Sequence, residues 1–337
     1  MKISVGMDIG HSAPKLVWAT STNPAQHYQD LFLTVVCPAI PLSDEGTRRR
    51  AARETVNLNG RDYFYGETAV KQGRAQSYSG QDKDWIFTDT HDVLVIGAFR
   101  RVAEAVETTI GYVPNHYELI VGLPQAWYDT QRRELKSRVT QLVEPMLRSG
   151  QTVNVRAQSQ PNGPLQEMIF LSDGRVNPAH DFDNERWGVI EVGQGTSDFI
   201  LTDGPDFIEA ASGSCVGFAA VYERMTAILQ SKNLPSDLGS VDRAIRNGAL
   251  TAYGKQIDLA SELRESSEQL LYVVRDEAQR RFGEATSSLN GVIVAGGGAQ
   301  LLFPGLREVF PHAVMSPAPR FSVSEGFCRY GLSRFNP

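Results

Sequence analysis

Apolar side chains along the chain follow two rhythms. Short apolar runs at 3–9, 15–20, 119–124, 152–157, 188–193, 199–201 and 292–295 predict strands. Val95, Phe99, Val102, Val106 and Ile110 recur at helical spacing and predict a helix over 91–110. Further helices are expected over 129–147, 216–231, 258–283 and 324–334, with Asp258 as the cap of the long one. A third strand is expected at 31–36 and a hairpin with its turn at 60–66. The charged, Arg-rich stretch 44–53 reads as an exposed loop, and 158–164, with glycine and two prolines, as a polar one.

Strands alternating with helices indicate an α/β fold. The pattern also repeats. Each half opens with a strand, an acid, a glycine turn and a return strand, first at Asp8 and again at Glu191. A length of 337 residues suits two domains, and two related halves facing each other would leave a ligand cleft between them.

Composition narrows the function classes. Hydrophobic residues at 41% and charged residues at 21% are ordinary for a globular protein. A net charge of -6 disfavours direct DNA binding through a basic surface, though not through a basic adaptor protein. Cys37, Cys215 and Cys328 are widely spaced and read as free thiols. The N-terminus meets Asp8 too early for a signal peptide, and no apolar run is long enough for a membrane helix. A cytoplasmic protein without a membrane anchor is expected. No Walker or zinc-protease pattern occurs, and most of the six histidines read as surface residues.

Three segments carry candidate chemistry. In Asp8-Ile9-Gly10-His11-Ser12-Ala13-Pro14-Lys15, a glycine turn lets backbone N–H groups approach phosphate oxygens. Asp8 can hold the water shell of a Mg²⁺ ion, and Lys15 can reach back as a point charge. In Glu191-Val192-Gly193-Gln194-Gly195-Thr196-Ser197-Asp198, an acid again precedes a turn rich in N–H and hydroxyl donors. In Val292-Ile293-Val294-Ala295-Gly296-Gly297-Gly298-Ala299, a buried strand runs into three glycines that let the backbone lie against a planar base or sugar. Taken singly, each segment is equally an ordinary glycine turn. The second is no dinucleotide fingerprint, because its third glycine is missing and the turn runs strand to strand.

The three segments in this order resemble the superfamily of actins, DnaK-type chaperones and sugar kinases. Asp8-x-Gly10 with Lys15 resembles the first phosphate hairpin, Glu191 to Asp198 the second, and Gly296-Gly297-Gly298-Ala299 the adenosine motif. Val121-Gly122-Leu123-Pro124 with Tyr128, Gln160-Pro161-x-Gly163, and the run from Pro319 to Gly331 resemble the plasmid-segregating ParM/StbA branch. This resemblance implies an actin-like, duplicated ribonuclease H-like fold, two α/β domains around a nucleotide cleft. The first domain would span 1–186 with 318–337 returning to it and a variable part at about 35–90. The second would span 187–317 with a variable part at about 232–270.

It further implies an ATPase that binds Mg²⁺ and ATP, with GTP as the other candidate, and assembles into filaments of its own copies for plasmid or phage DNA segregation. A DNA-bound adaptor protein would be the partner. Gly10, His11, Ser12, Lys15, Gly193, Gly195, Thr196 and Ser197 would hold phosphates. Asp8 and Glu191 would hold Mg²⁺ through water, Gln160 would position the attacking water, and Gly296, Gly297 and Gly298 would pack on adenosine. A chaperone-type or reactivase ATPase and a small-molecule kinase are the rival members of the superfamily. The chain departs from the pattern at Glu191, where aspartate is usual, at Gln194, where glycine is usual, at Gln160, where many ParM relatives have glutamate, and at Pro14, which removes an N–H. Those departures favour nucleotide binding over fast turnover.

Overall fold

The computed structural model describes residues 1–73, 83–111 and 113–335. The elements run Lys2–Ile9 (β1), Pro14–Thr20 (β2), Asn23–Leu31 (β3), Val36–Pro38 (β4), Glu45–Ala51 (α1), Thr55–Leu58 (β5), Arg61–Tyr65 (β6), Gly66–Gln72 (α2), Asp89–Ile110 (α3), His116–Leu123 (β7), Gln125–Val143 (α4), Thr152–Ser159 (β8) and Asn162–Ile169 (α5). They continue with Arg186–Val192 (β9), Thr196–Asp203 (β10), Asp206–Phe207 (β11), Gly213–Val216 (β12), Ala219–Ser231 (α6), Leu238–Asn247 (α7), Ala249–Ala252 (β13), Lys255–Asp258 (β14), Ala260–Phe282 (α8), Gly291–Ala295 (β15), Ala299–Val309 (α9), Ala313–Met315 (β16) and Ser322–Ser333 (α10). The chain divides into two compact units, Met1–Phe182 with Phe321–Pro337, and Asp183–Arg320. Residues 74–82 of the expected variable segment, and the end of the expected 318–337 return, lie outside the described residues.

The first unit is built on a sheet of order β3-β2-β1-β7-β8. β1 pairs antiparallel with β2 and parallel with β7. Side chains along β1 alternate between faces. Ile3, Val5 and Met7 are buried in a core with Val95 and Val102 of α3 and Leu135 and Val139 of α4. The opposite face carries Ser4 and Gly6, and small residues there let α10 lie directly on the strand. Ser4 Oγ donates to the Cys328 carbonyl at 2.7 Å, and a Cβ at Gly6 would overlap the Ser324 carbonyl oxygen. α5 meets α10 in the same way, with Gly163 against the Val323 backbone and Gly326 against the Gly163 carbonyl.

The second unit repeats the plan. Its main sheet has the order β11-β10-β9-β15-β16, with β12 on β10. β9 pairs antiparallel with β10 and parallel with β15. Ile190, Val192 and Val294 pack with Val221 and Met225 of α6, Leu270 and Val274 of α8, and Leu302 and Leu306 of α9. The duplicated α/β architecture expected from the repeat is the one adopted.

Several local expectations are corrected. Residues 45–51 form helix α1, capped by Asp44, whose Oδ2 accepts from Thr47 N at 2.6 Å. The third strand is the polar edge strand β3, which ends at Leu31, and not 31–36. The expected loop at 158–164 contains the end of β8 and the start of α5. α8 starts at Ala260, so Asp258 caps from just outside, its Oδ1 accepting from Ala260 N at 2.9 Å. None of the histidines is fully exposed, and His91 is buried. The three cysteines are free.

His27 on β3 ties the first unit's edge to α10. Its Nδ1 lies 2.9 Å from Glu325 Oε2, and its Nε2 lies 2.6 Å from the Ser172 carbonyl. Neither acceptor can donate, so both ring nitrogens carry protons and the ring is an imidazolium. Arg329 Nε donates to the other Glu325 oxygen at 2.7 Å. Burial opposes the His27 charge, but the Glu325 carboxylate and the Ser172 carbonyl outweigh it and raise the pKa above 6.5. His91 behaves oppositely, since burial lowers its pKa despite Asp92.

Two predictions follow from this packing. Gly326→Ala places a methyl group on the Gly163 carbonyl and should cost about 2–3 kcal/mol in urea unfolding; an unchanged midpoint would contradict the close helix contact. A raised folded pKa makes the His27 contribution complete below the unfolded value and lost as pH rises through the folded one. The stability gap between wild type and His27→Gln should therefore be larger at about pH 6 than at about pH 9, and an equal gap would rule out the charged pair.

Candidate functional site

In the first unit, Asp8 and Lys15 face each other across the β1–β2 hairpin. Lys15 Nζ lies 2.7 Å from Asp8 Oδ2. Gln160, in the turn between β8 and α5, donates from Nε2 to Asp8 Oδ1 at 2.9 Å. Both oxygens of a carboxylate that is only 3% exposed are thus engaged. Gly122 gives Gln160 its room, because a Cβ there would stand 3.0 Å from Gln160 Cγ. The sequence-predicted Asp8, Lys15 and Gln160 are brought into one cluster.

The turn of this hairpin is held from behind by Thr34. Its Oγ1 donates to the Gly10 carbonyl at 2.6 Å, and its N–H to the Ser12 carbonyl at 3.0 Å. Carbonyl and N–H point oppositely across a trans peptide, so this directs the N–H groups of His11 and Ala13 to the other side. The His11 ring lies 4.9 Å from the ring of Trp85, whose Nε1 donates to the Ile9 carbonyl at 3.2 Å. His11 therefore offers its backbone to a ligand while its ring packs. Thr34 and Trp85 were not singled out from the sequence, because each acts from a distant segment.

The second unit carries the same device with different charges. Glu191 and Asp198 face each other across the β9–β10 hairpin, 6% and 0% exposed. Asp198, where the first hairpin has lysine, accepts from Thr196 Oγ1 at 2.8 Å and from Ser214 Oγ. The Thr196 hydroxyl proton is therefore committed to Asp198. Ser197 is fully buried beside Cys215, between β9 and β12, so its side chain points into the protein. Burial, then the charges of Glu277 and Asp198, push the neighbouring Cys215 thiol up to about 12, so it stays protonated.

The start of α6 holds this second turn. Phe218 N donates to the Gly193 carbonyl at 2.8 Å, Ala219 N to Gln194 at 2.8 Å and Gly217 N to Gly195 at 3.1 Å. By the same peptide geometry, the N–H groups of Gln194, Gly195 and Thr196 are aimed away from α6, a concave array suited to an anion. Gly217 must be glycine for this approach, since a Cβ would lie 2.6 Å from Thr196 N. Its signal in the sequence was faint: one glycine before a helix. Among the described residues no group of three or more His, Cys, Asp or Glu is assembled to hold a metal, so a cation beside Asp8 or Glu191 would draw its remaining ligands from water and phosphate.

The three glycines after β15 separate into two kinds. Gly296 has φ +92, and its Cβ would stand 2.6 Å from Glu191 Oε1. A Cβ at Gly298 would stand 2.6 Å from Val192 Cγ1 and 2.7 Å from Phe218 Cδ2. Gly297 has neither constraint, with nothing within 4 Å of the Cβ position and an exposed backbone. Packing explains Gly296 and Gly298, while the middle glycine leaves a flat, open surface. Gly298→Ala should lower the melting temperature, whereas Gly297→Ala should leave it unchanged and weaken nucleotide binding in an equilibrium titration; full affinity in Gly297→Ala would remove Gly297 from the site.

Comparisons with known proteins agree with this fold. The family described as the N-terminal domain of actin-like proteins matches residues 6–163, and the C-terminal domain of the archaeal, MreB-like actin homologue matches 189–308. The structure resembles a 15-stranded ParM filament from Clostridium botulinum, with TM-score 0.74 and 17% identity over 98% of this chain and 99% of that one. It also resembles an archaeal actin homologue, with TM-score 0.67 and 15% identity over 98% and 99%. A third likeness is to Bacillus thuringiensis ParM with ATP, with TM-score 0.66 and 13% identity over 100% of both chains. No curated protein matches the sequence significantly. The likenesses to solved structures are of fold, and the two domain matches cover one part of the chain each: its first part is similar to the N-terminal domain of actin-like proteins and its second to the C-terminal domain of the MreB-like actin homologue.

Proposed function

We propose that this chain binds a Mg²⁺-nucleoside triphosphate and uses it to drive assembly of its own copies into filaments. The observation that carries the reading is the pair of hairpin turns, one per unit, each with its carbonyls tied back, its N–H groups turned outward and a buried acid at its base. Such turns bind phosphate oxygens, and each unit carries one.

In this reading, the backbones of Gly10, His11 and Ser12, and of Gly193, Gly195, Thr196 and Ser197, take the phosphate oxygens. Lys15 neutralises phosphate charge. Asp8 and Glu191 hold the waters of a Mg²⁺ ion, which supplies charge neutralisation at the phosphates. Gln160 offers its carbonyl oxygen to orient an attacking water while its amide stays on Asp8. Positioning and charge stabilisation are most of what phosphoryl transfer needs. Glu191 and Gln160 are weaker choices than the residues usual in the family, so slow turnover is expected. ATP is the nucleotide the family resemblance supplies, and the hairpins themselves do not distinguish bases.

Loss of the terminal phosphate would remove contacts made to the turns and loosen the assembled form. A repeated head-to-tail contact gives an open filament. Segregation of plasmid or phage DNA through a DNA-bound adaptor, in the cytoplasm, is the cellular role we favour, supported by the likeness to ParM filaments. Among the described residues no helix is long and apolar enough to cross a membrane.

Light scattering and pelleting with Mg²⁺ and ATP, GTP, ADP or no nucleotide, with phosphate release followed in the same tube, test this reading. Assembly should require a triphosphate and decay as phosphate appears. Lys15→Ala should raise the triphosphate Kd roughly tenfold or more and abolish assembly. Tight nucleotide binding without assembly at any protein concentration would overturn the filament reading.

A further inference from the structure

Both hairpins contact phosphate in the reading above, so base choice must lie elsewhere. In the second unit, four polar side chains meet where α6, α7 and the segment after β16 come together. The Tyr222 hydroxyl donates to Asp242 Oδ1 at 2.6 Å, and Arg246 Nε donates to Oδ2 at 2.6 Å. Each Asp242 oxygen thereby accepts one hydrogen bond. Arg320 lies beside them, half-buried, and among the described residues its guanidinium makes no hydrogen bond or ion pair. Burial disfavours its charge and the Arg246 charge disfavours it further; Asp242 and Tyr222 offset this only in part, and its pKa falls below the ordinary arginine value. A partly desolvated guanidinium facing a second one is unfavourable unless something supplies acceptors.

The position of this cluster says what that something is. The Pro319 carbonyl accepts from Gly296 N at 2.8 Å, so Arg320 is rooted at the glycine triple. Tyr222 sits one turn into α6, the helix whose first N–H groups hold the second phosphate turn. Its ring packs edge-on against Phe218 at 6.0 Å, and Phe218 is the ring that a Cβ at Gly298 would strike. Arg320 is thus linked to the second turn through Gly296 on one side and through Tyr222 and Phe218 on the other, next to the exposed Gly297.

We infer that Arg320 is the specificity-determining residue for the base, and that it selects guanine. The guanidinium fork matches the O6 and N7 acceptors of guanine, whereas adenine places a donor amine where guanine has O6. The inference rests on the nucleotide reading above and makes GTP, not ATP, the tighter ligand.

Competition of unlabelled GTP and ATP against a ribose-labelled fluorescent GTP, with Mg²⁺, tests it on wild type, Arg320→Gln and Arg320→Lys. GTP should displace the probe from wild type at roughly tenfold lower concentration than ATP. Arg320→Gln should weaken GTP by a similar factor and leave ATP within about twofold. Arg320→Lys should also lose GTP, because a point charge cannot span two acceptors. Since Arg320 carries no ion pair, Arg320→Gln should melt at or above the wild-type temperature, which separates a ligand-reading role from a structural one. Equal affinities for GTP and ATP in wild type, or equal weakening of both in Arg320→Gln, would overturn the inference. Failure of either nucleotide to bind wild type would overturn the nucleotide reading itself.

Discussion

A carboxylate taken out of water at the end of a central strand is the constraint on which both halves of this protein are organised. Such a group is tolerated only when its oxygens are satisfied. At Asp8 the solution is a lysine across the hairpin and a glutamine amide from the turn after β8. That solution gathers an acid, a cation and a polar amide in one place, which are the parts a phosphate site requires. The second unit uses the same strand end but sets Asp198 opposite Glu191, with hydroxyls of Thr196 and Ser214 on Asp198. The first hairpin is charge-balanced and the second is acid-rich, so at the second a cation beside Glu191 would accompany the anion that the turn's N–H groups suit.

Backbone geometry does the rest. Thr34 in the first unit, and the start of α6 in the second, bind the turn carbonyls from behind. Each turn is then a fixed array of donors, with no side chain required to reach the ligand. This explains how Pro14, the His11 ring packed on Trp85 and a buried Ser197 hydroxyl are compatible with a phosphate site. The glycines fall into the same logic. Gly6, Gly163 and Gly326 bring α5 and α10 onto the sheet and so anchor the segment that carries Gln160, whereas Gly297 is open with no packing reason.

Much of this was legible in the sequence because the strands that matter are buried and continuous, and because the acid–glycine turn occurs twice. Asp8, Lys15 and Gln160 were singled out and do converge. What the sequence hid has a physical cause in each case. α1 is nearly all polar, so its apolar periodicity is silent, although Asp44 three residues before Thr47 was a readable cap. α5 was masked by Pro161, Gly163 and Pro164, yet proline is tolerated in a first helical turn. β3 is an edge strand with few apolar residues. Thr34, Gly217 and Arg320 act on segments far away in sequence, and no local pattern announces them.

The measurement that bears most directly on the account is the affinity of Lys15→Ala and of Glu191→Gln for Mg²⁺-triphosphate, each against wild type. If the two hairpins take phosphate and its Mg²⁺, each change should weaken triphosphate binding roughly tenfold or more. Wild-type affinity in both variants would mean that neither hairpin meets the nucleotide, and the account would be wrong.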